Sequence, residues 1–155
     1  MLFNPYNLFN IKDKVALVVG ATGSFGSVAA KTYSGAGCKV ALTGGNKSEL
    51  FKISEDIKNN KGNSFQINRR PSNESDCAFI VEETVKTFGK LDILVVASGI
   101  NKVSKVEDME VETFKTLMDV NVTQSWMMAR SAIKQMKSQK TGGKIVLVSS
   151  ARGLL

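Results

Sequence analysis

Val15-Ala-Leu-Val-Val-Gly20-Ala-Thr-Gly23-Ser-Phe-Gly26 is the stretch on which the fold turns. A short Val-rich run stops at a glycine, two more glycines follow at intervals of three, and the small-residue segment Ser27-Val-Ala-Ala30 comes next. An apolar run, a glycine turn and a helix are the physical requirements of a dinucleotide site. A buried strand delivers the chain to a tight turn. Glycines let backbone N–H groups approach a pyrophosphate with no Cβ in the way. The helix that follows offers unpaired N–H groups and the positive end of its dipole. On this reading Gly20 turns the chain off the strand, Gly23 admits the phosphates, and Gly26 lets helix and strand pack closely. Three glycines also suit an ordinary turn, so the surrounding pattern has to decide.

Outward from that stretch, apolar runs alternate with helical patterns. Strands are predicted over residues 14–19, 39–43, 63–68, 90–96 and 144–148. Helices are predicted over 24–36, over 47–60, from an Asn73 cap to about residue 87, and from Val111 to about residue 137. Phe25, Val28, Ala29 and Tyr33 fall at helical spacing on the first. Leu50, Phe51, Ile53 and Ile57 lie on or near one stripe of the second, and Phe79, Ile80 and Val85 point inward from the third. The long fourth helix carries a broad apolar surface from Phe114, Leu117, Met118, Val122, Trp126 and Met127. Gly35 and Gly37 close the first helix, and Ala97-Ser-Gly99 breaks the fourth strand. Residues 1–13 read as an irregular lead-in, with Phe9 and Ile11 able to pack on the sheet edge. Strands apolar on both faces, separated by helices, mean an α/β doubly wound parallel sheet covered on both sides. With no repeat, low-complexity tract or internal linker, residues 1–155 read as one domain whose sheet stops after the fifth strand.

The 155 residues suffice for a real core, and 43% hydrophobic with 23% charged residues is the balance of a soluble globular protein. No apolar run approaches the roughly 20 residues of a membrane span. Met1-Leu-Phe-Asn-Pro-Tyr-Asn is too polar for a signal peptide, so a cytoplasmic location without a membrane partner is expected. There is no histidine, and Cys38 and Cys77 stand in no metal or redox spacing; reduced, structural thiols and no metal site are expected. A net charge of +7 raises nucleic acid as a partner, but the lysines are scattered and no aromatic platform accompanies them, so none is expected. Past Asp119 no acid remains, while Arg130, Lys134, Lys137, Lys140, Lys144 and Arg152 follow; these read as a solvated helix face and loop.

Several separated pieces, in order and spacing, resemble the short-chain dehydrogenase/reductase family. They are the glycine turn at 20–26, Ala36-Gly37, Phe88-Gly-Lys-Leu-Asp-Ile-Leu-Val95, Ala97-Ser-Gly99, Met118-Asp-Val-Asn121-Val, and Gly143-Lys-Ile-Val-Leu-Val-Ser-Ser150. The resemblance implies a Rossmann-like fold, NAD or NADP as cofactor, and hydride transfer between nicotinamide and an alcohol or carbonyl of a small-molecule substrate. It implies that Ser150 hydrogen-bonds the substrate oxygen and that Asn121, inside the long helix, holds a water in a proton relay. Cofactor contacts are expected from Gly20, Thr22, Gly23, Ser24, Phe25 and Gly26, from Gly45, Asn46 and Lys47 after the second strand, and from Ala97, Ser98 and Gly99 after the fourth. The family commonly dimerises through the long helix. A homo-oligomer is therefore expected around Trp126, with Met127, Met128 and Met136, since Trp and Met suit interface cores.

The departures from the family pattern matter as much. Neither Tyr6 nor Tyr33 has a lysine four residues on, so the family's Tyr-x-x-x-Lys acid/base pair is missing from this chain. The sequence reads as the N-terminal, cofactor-binding part of a longer enzyme, inactive alone. After the second strand, where a family Asp selects NAD and an Arg beside it selects NADP, stand Gly44, Gly45, Asn46 and Lys47. With no carboxylate to repel a 2′-phosphate, and Lys47 near, the balance leans to NADP over NAD. Val19 replaces a usual Thr, Arg70 replaces an adenine-contacting Asp, and Val96-Ala97-Ser98-Gly99 replaces Asn-Asn-Ala-Gly. A second reading is a non-catalytic nucleotide-binding or interaction module with eroded motifs.

Overall fold

The run Val15–Val19 becomes strand β1, and all five of its residues are buried. The computed structural model describes residues 9–150; the first eight residues of the lead-in, with Tyr6, and Arg152 lie outside the described residues. Strands β2 (Lys39–Thr43) and β4 (Ile93–Val96) flank β1 in parallel. Strand β3 (Asn63–Ile67) pairs outside β2, and β5 (Lys144–Leu147) outside β4, giving the order β3-β2-β1-β4-β5. In register, Leu17 stands opposite Ala41 on one side and Leu94 on the other.

Alternate residues of the strands feed two cores. Leu17, Val19, Ala41, Leu94 and Val96 face helices α3 (Glu74–Phe88) and α5 (Gln124–Ser138), where they meet Cys77, Ile80, Met128, Ala132 and Met136. Ala16, Val18, Val40, Leu42 and Val95 face α1 (Ser24–Gly35) and α2 (Lys47–Asn59), where they meet Ala30, Leu50, Ile53 and Ile57. This is the doubly wound parallel sheet that the alternation of apolar runs demands. Local chemistry sets the ends. The Asn46 side chain accepts from Glu49 N at 3.1 Å and caps α2; Asn73 does the same for α3 from Asp76 N at 2.9 Å. Gly89, at φ +84°, closes α3 in the left-handed conformation. At the foot of the sheet the buried Asp92 carboxylate accepts from Val15 N at 2.8 Å and pairs with Lys90 at 3.0 Å. It thereby ties the start of β1 to the entry of β4.

Several inward faces differ from expectation. On α1 the buried residues are Gly26 and Ala30, while Phe25 is 72% and Val28 64% exposed. The helix comes so close to the β1 turn that only small residues fit, and the bulky ones are displaced outward. Phe51 is exposed, one position off the stripe of Leu50, Ile53 and Ile57. Phe79 is exposed and carries the Arg69 guanidinium 4.8 Å above its ring. Phe9 is exposed as well, whereas Ile11 packs against the core under α1 and α2. The long helix is not continuous: α4 (Val111–Met118) runs into a π-helical turn, Asp119–Thr123, before α5 begins. Met128, Ala132 and Met136 make its inner face, and Phe114, Met118, Val122 and Trp126 point to solvent. Arg130 is not merely solvated, since it pairs with Glu74 at 2.7 Å and lies 5.3 Å over the Trp126 ring. Among the described residues no helix is long and apolar enough to cross a membrane.

Candidate functional site

After β1 the chain winds outward through β2 and β3, then crosses back to β4 on the other side of β1. Such a reversal leaves a crevice at the carboxyl ends of the two central strands. A cleft of about 430 Å³ lies there. Its walls are Gly20, Thr22 and Gly23 after β1, Gly44 and Gly45 after β2, the segment Arg70-Pro71-Ser72 after β3, and Ala97, Ser98, Gly99 and Ile100 after β4. Thr116, Val120 and Gln124 close it from the long helix.

The three glycines of the first turn do three different things. Gly20 sits at φ +77°, and a Cβ there would meet the backbone of Ser98 at 2.6 Å, so neither the conformation nor the space admits a side chain. Its N–H and that of Ala21 both donate to the Thr43 carbonyl at 3.0 Å, fixing the turn to the end of β2. At Gly26 a Cβ would overlap the Gly20 carbonyl, so α1 rests directly on the turn. Gly23 is open. The one heavy atom near its missing Cβ is the Gly20 oxygen, 3.4 Å away, and the residue is exposed at the mouth of the cleft.

Gly23 is also the N-cap of α1, and it supplies no side chain to the first-turn N–H groups; no acid stands in that turn. The caps of α2 and α3 are Asn side chains, and both helices carry acids in the first turn. The positive end of α1 is therefore left unneutralised at an open glycine turn, the arrangement that receives an anion.

The loop after β4 is held from the helix side. Asn121, in the π-helical turn, accepts from Ile100 N and donates to Ile100 O, both at 2.9 Å. Its Oδ1 lies 3.1 Å from where a Gly99 Cβ would stand. The amide is thus committed to the backbone of the cleft wall. Next to it the Ser98 hydroxyl oxygen is buried with no hydrogen-bond partner among the described residues, a desolvated polar group that costs about 1–3 kcal/mol until something satisfies it.

The expected site residues thus fall into two groups. Gly20, Thr22, Gly23, Gly45, Ala97, Ser98 and Gly99 line the cleft, and Asn121 braces it. Ser24 and Phe25 open α1 on its exposed side, Gly26 is buried under the turn, Asn46 caps α2, and Lys47 is the first, exposed residue of that helix. Ser150 follows β5 at the same edge of the sheet, where Val148 N donates to Val96 O at 2.9 Å. Sequence reasoning passed over Thr116, Val120 and Gln124, although their spacing of four marks one helix stripe. It read Arg70 only as a loss. The structure makes Arg70 the one charged side chain in the cleft lining among the described residues.

The two thiols take no part. Burial, with the Asp76 and Glu74 carboxylates, pushes Cys77 up to about 11, and burial also raises Cys38, whose Sγ donates to Ile11 O at 3.2 Å. Neither forms a thiolate near neutral pH.

Comparison with known proteins agrees with this architecture. The family model described as short chain dehydrogenase matches residues 14–155. An uncharacterized oxidoreductase of Mycobacterium tuberculosis is 39% identical over 147 residues, covering 94% of this chain and 53% of that protein. An 11-beta-hydroxysteroid dehydrogenase-like protein of Arabidopsis thaliana is 31% identical, covering 100% of this chain and 54% of its own length. The crystal structure of a short-chain type dehydrogenase/reductase from Mycobacterium marinum superimposes with a TM-score of 0.94 at 27% identity, covering 99% of this chain and 62% of that one. The chain spans about half the length of the curated relatives it matches.

Proposed function

The chain belongs to the short-chain dehydrogenase/reductase family, and we propose that it is the cofactor-binding part of an NAD(P)-dependent oxidoreductase acting on an alcohol or carbonyl of a small molecule. The observation that carries this reading is the open Gly20–Gly23 turn beneath an uncapped, acid-free α1 N-terminus. The first-turn N–H groups of α1, which Gly23 leaves without a side-chain cap, would hold the diphosphate. Gly45, with Asn46 and Lys47 beside it, stands at the adenosine end, and Ala97, Ser98 and Gly99 at the nicotinamide end. When bound, the cofactor supplies the hydride donor or acceptor. Ser150 donates to the substrate oxygen, and Asn121 fixes the loop against which the reaction occurs and serves a water-borne proton relay. NADP is preferred to NAD, because no carboxylate stands at residues 44–47 to repel a 2′-phosphate. Neither Tyr6 nor Tyr33 is followed four residues on by lysine, so the 155-residue chain binds cofactor without turning over substrate.

Assembly is part of the same proposal. The outward face of Phe114, Met118, Val122 and Trp126 forms a contact between copies of the chain, with Trp126 56% exposed at its centre.

Titration with NADPH and with NADH, followed by nicotinamide fluorescence, tests the reading. Saturable binding with no turnover of alcohols or ketones is expected. Failure to bind either dinucleotide at millimolar concentration would overturn it.

A further inference from the structure

We propose that Arg70, delivered from the end of β3, fills the place of a side chain at Gly45 and is the residue that reads the 2′-phosphate of NADPH. The inference rests on the cleft being a dinucleotide site. It goes further in naming a specificity residue in the loop after β3, from which cofactor choice was not expected.

The backbone around Arg70 is fixed on both sides. The buried Thr43 hydroxyl donates to the Arg69 carbonyl, Arg69 N donates to Ile67 O at 2.8 Å, and Pro71 is buried. The two adjacent arginines are then put to different use. Arg69 turns to α3, pairs with Asp76 at 2.8 Å and lies over Phe79. Arg70 crosses the opposite way, to the loop after β2. A Cβ built on Gly45 would collide with its Nε and stand 2.8 Å from both Cζ and Nη2. The guanidinium therefore occupies the volume into which a residue-45 side chain would grow.

Its electrostatic state completes the case. No ion pair or hydrogen bond engages the Arg70 guanidinium among the described residues, whereas Arg69 and Arg130 both have carboxylate partners. An unpaired guanidinium in a cleft wall, with Gly44 and Gly45 offering no competing carboxylate, matches a phosphomonoester through its planar fork. A ribose diol would find no carboxylate acceptor among the lining residues there.

The test compares the 155-residue chain with Arg70→Ala and Arg70→Gln by fluorescence titration against NADPH and NADH, with 2′,5′-ADP as competitor. The native chain should favour NADPH. Both variants should lose on the order of tenfold to a hundredfold in NADPH affinity, keep NADH affinity, and no longer distinguish 2′,5′-ADP from 5′-ADP. Equal losses for both dinucleotides would overturn the assignment of Arg70 while leaving the cleft as a dinucleotide site. An unchanged preference for NADPH would do the same. A native chain that binds neither dinucleotide removes the reading of the cleft and Arg70's role with it.

Discussion

Gly20 carries two constraints at once, a left-handed backbone and direct contact with Ser98. Gly20→Ala should therefore cost at least about 1–3 kcal/mol from the backbone conformation alone, read as a lower urea midpoint, with cofactor affinity falling alongside. An unchanged midpoint would contradict the geometry of the turn. Asp92 acts at the other end of the same strand. Burial alone would raise its pKa, but the Val15 N–H, the Lys90 pair and the Lys14 charge more than reverse this and hold it below the usual carboxylate range. A carboxylate whose folded pKa lies below its unfolded value of about 3.9 stabilises above that pH, and the gain is lost as pH falls through the folded value. Asp92→Ala should destabilise by about 1–3 kcal/mol at pH 7 by stranding the Val15 N–H, with the deficit shrinking at pH 3 and below. Denaturation at the two pH values checks this; a deficit that does not change with pH would contradict it. Arg70 and Gly45 show the same economy of placement, since one residue's missing side chain is the other's seat.

The strands could be read directly because β1, β2 and β4 are short apolar runs that end at glycines or small residues, and buried parallel strands need nothing more. A helix end could be read where chemistry marks it, as at Asn73, while the caps at Asn46 and Gly89 emerge only in the structure. Helix faces were less legible. Hydrophobic periodicity points Phe25 and Val28 inward, but the contact that matters on α1 is the close approach of Gly26 and Ala30, which bulky side chains would prevent. The glycines of the site announce themselves by spacing, and Asn121 only through the family resemblance. The path of Arg70 across two loops does not, because no local pattern records which way a long side chain will cross. The π-helical turn at Asp119–Thr123 was hidden for a similar reason: it follows from the tertiary demand that Asn121 meet Ile100. Asn121→Ala should free that loop. Amide exchange at Ile100 should accelerate and dinucleotide affinity fall roughly tenfold, while a chain with unchanged Ile100 protection would show that the clasp does not hold the wall.

Among the described residues the chain forms a five-stranded sheet with two well-filled cores and two surfaces that these elements leave exposed. One is the edge at and just past β5, where Val146, Leu147 and Val148 remain substantially exposed. The other is the outward face of the long helix around Trp126. Sedimentation should show self-association at micromolar concentration, and Trp126→Glu should shift it toward monomer. A monomer throughout, unaffected by the substitution, would contradict an interface there. The cleft lies between these surfaces, where the sheet order reverses, and the account depends on its receiving a nucleotide's diphosphate. Amide NMR of the labelled chain during NADPH titration reads that contact most directly. Saturable shifts are expected to concentrate at Gly20, Gly23, Ser24 and Phe25, with Gly45 and Ser98 following at the same midpoint. Shifts confined to other surfaces, with the Gly20–Gly26 amides unmoved at saturation, would contradict it.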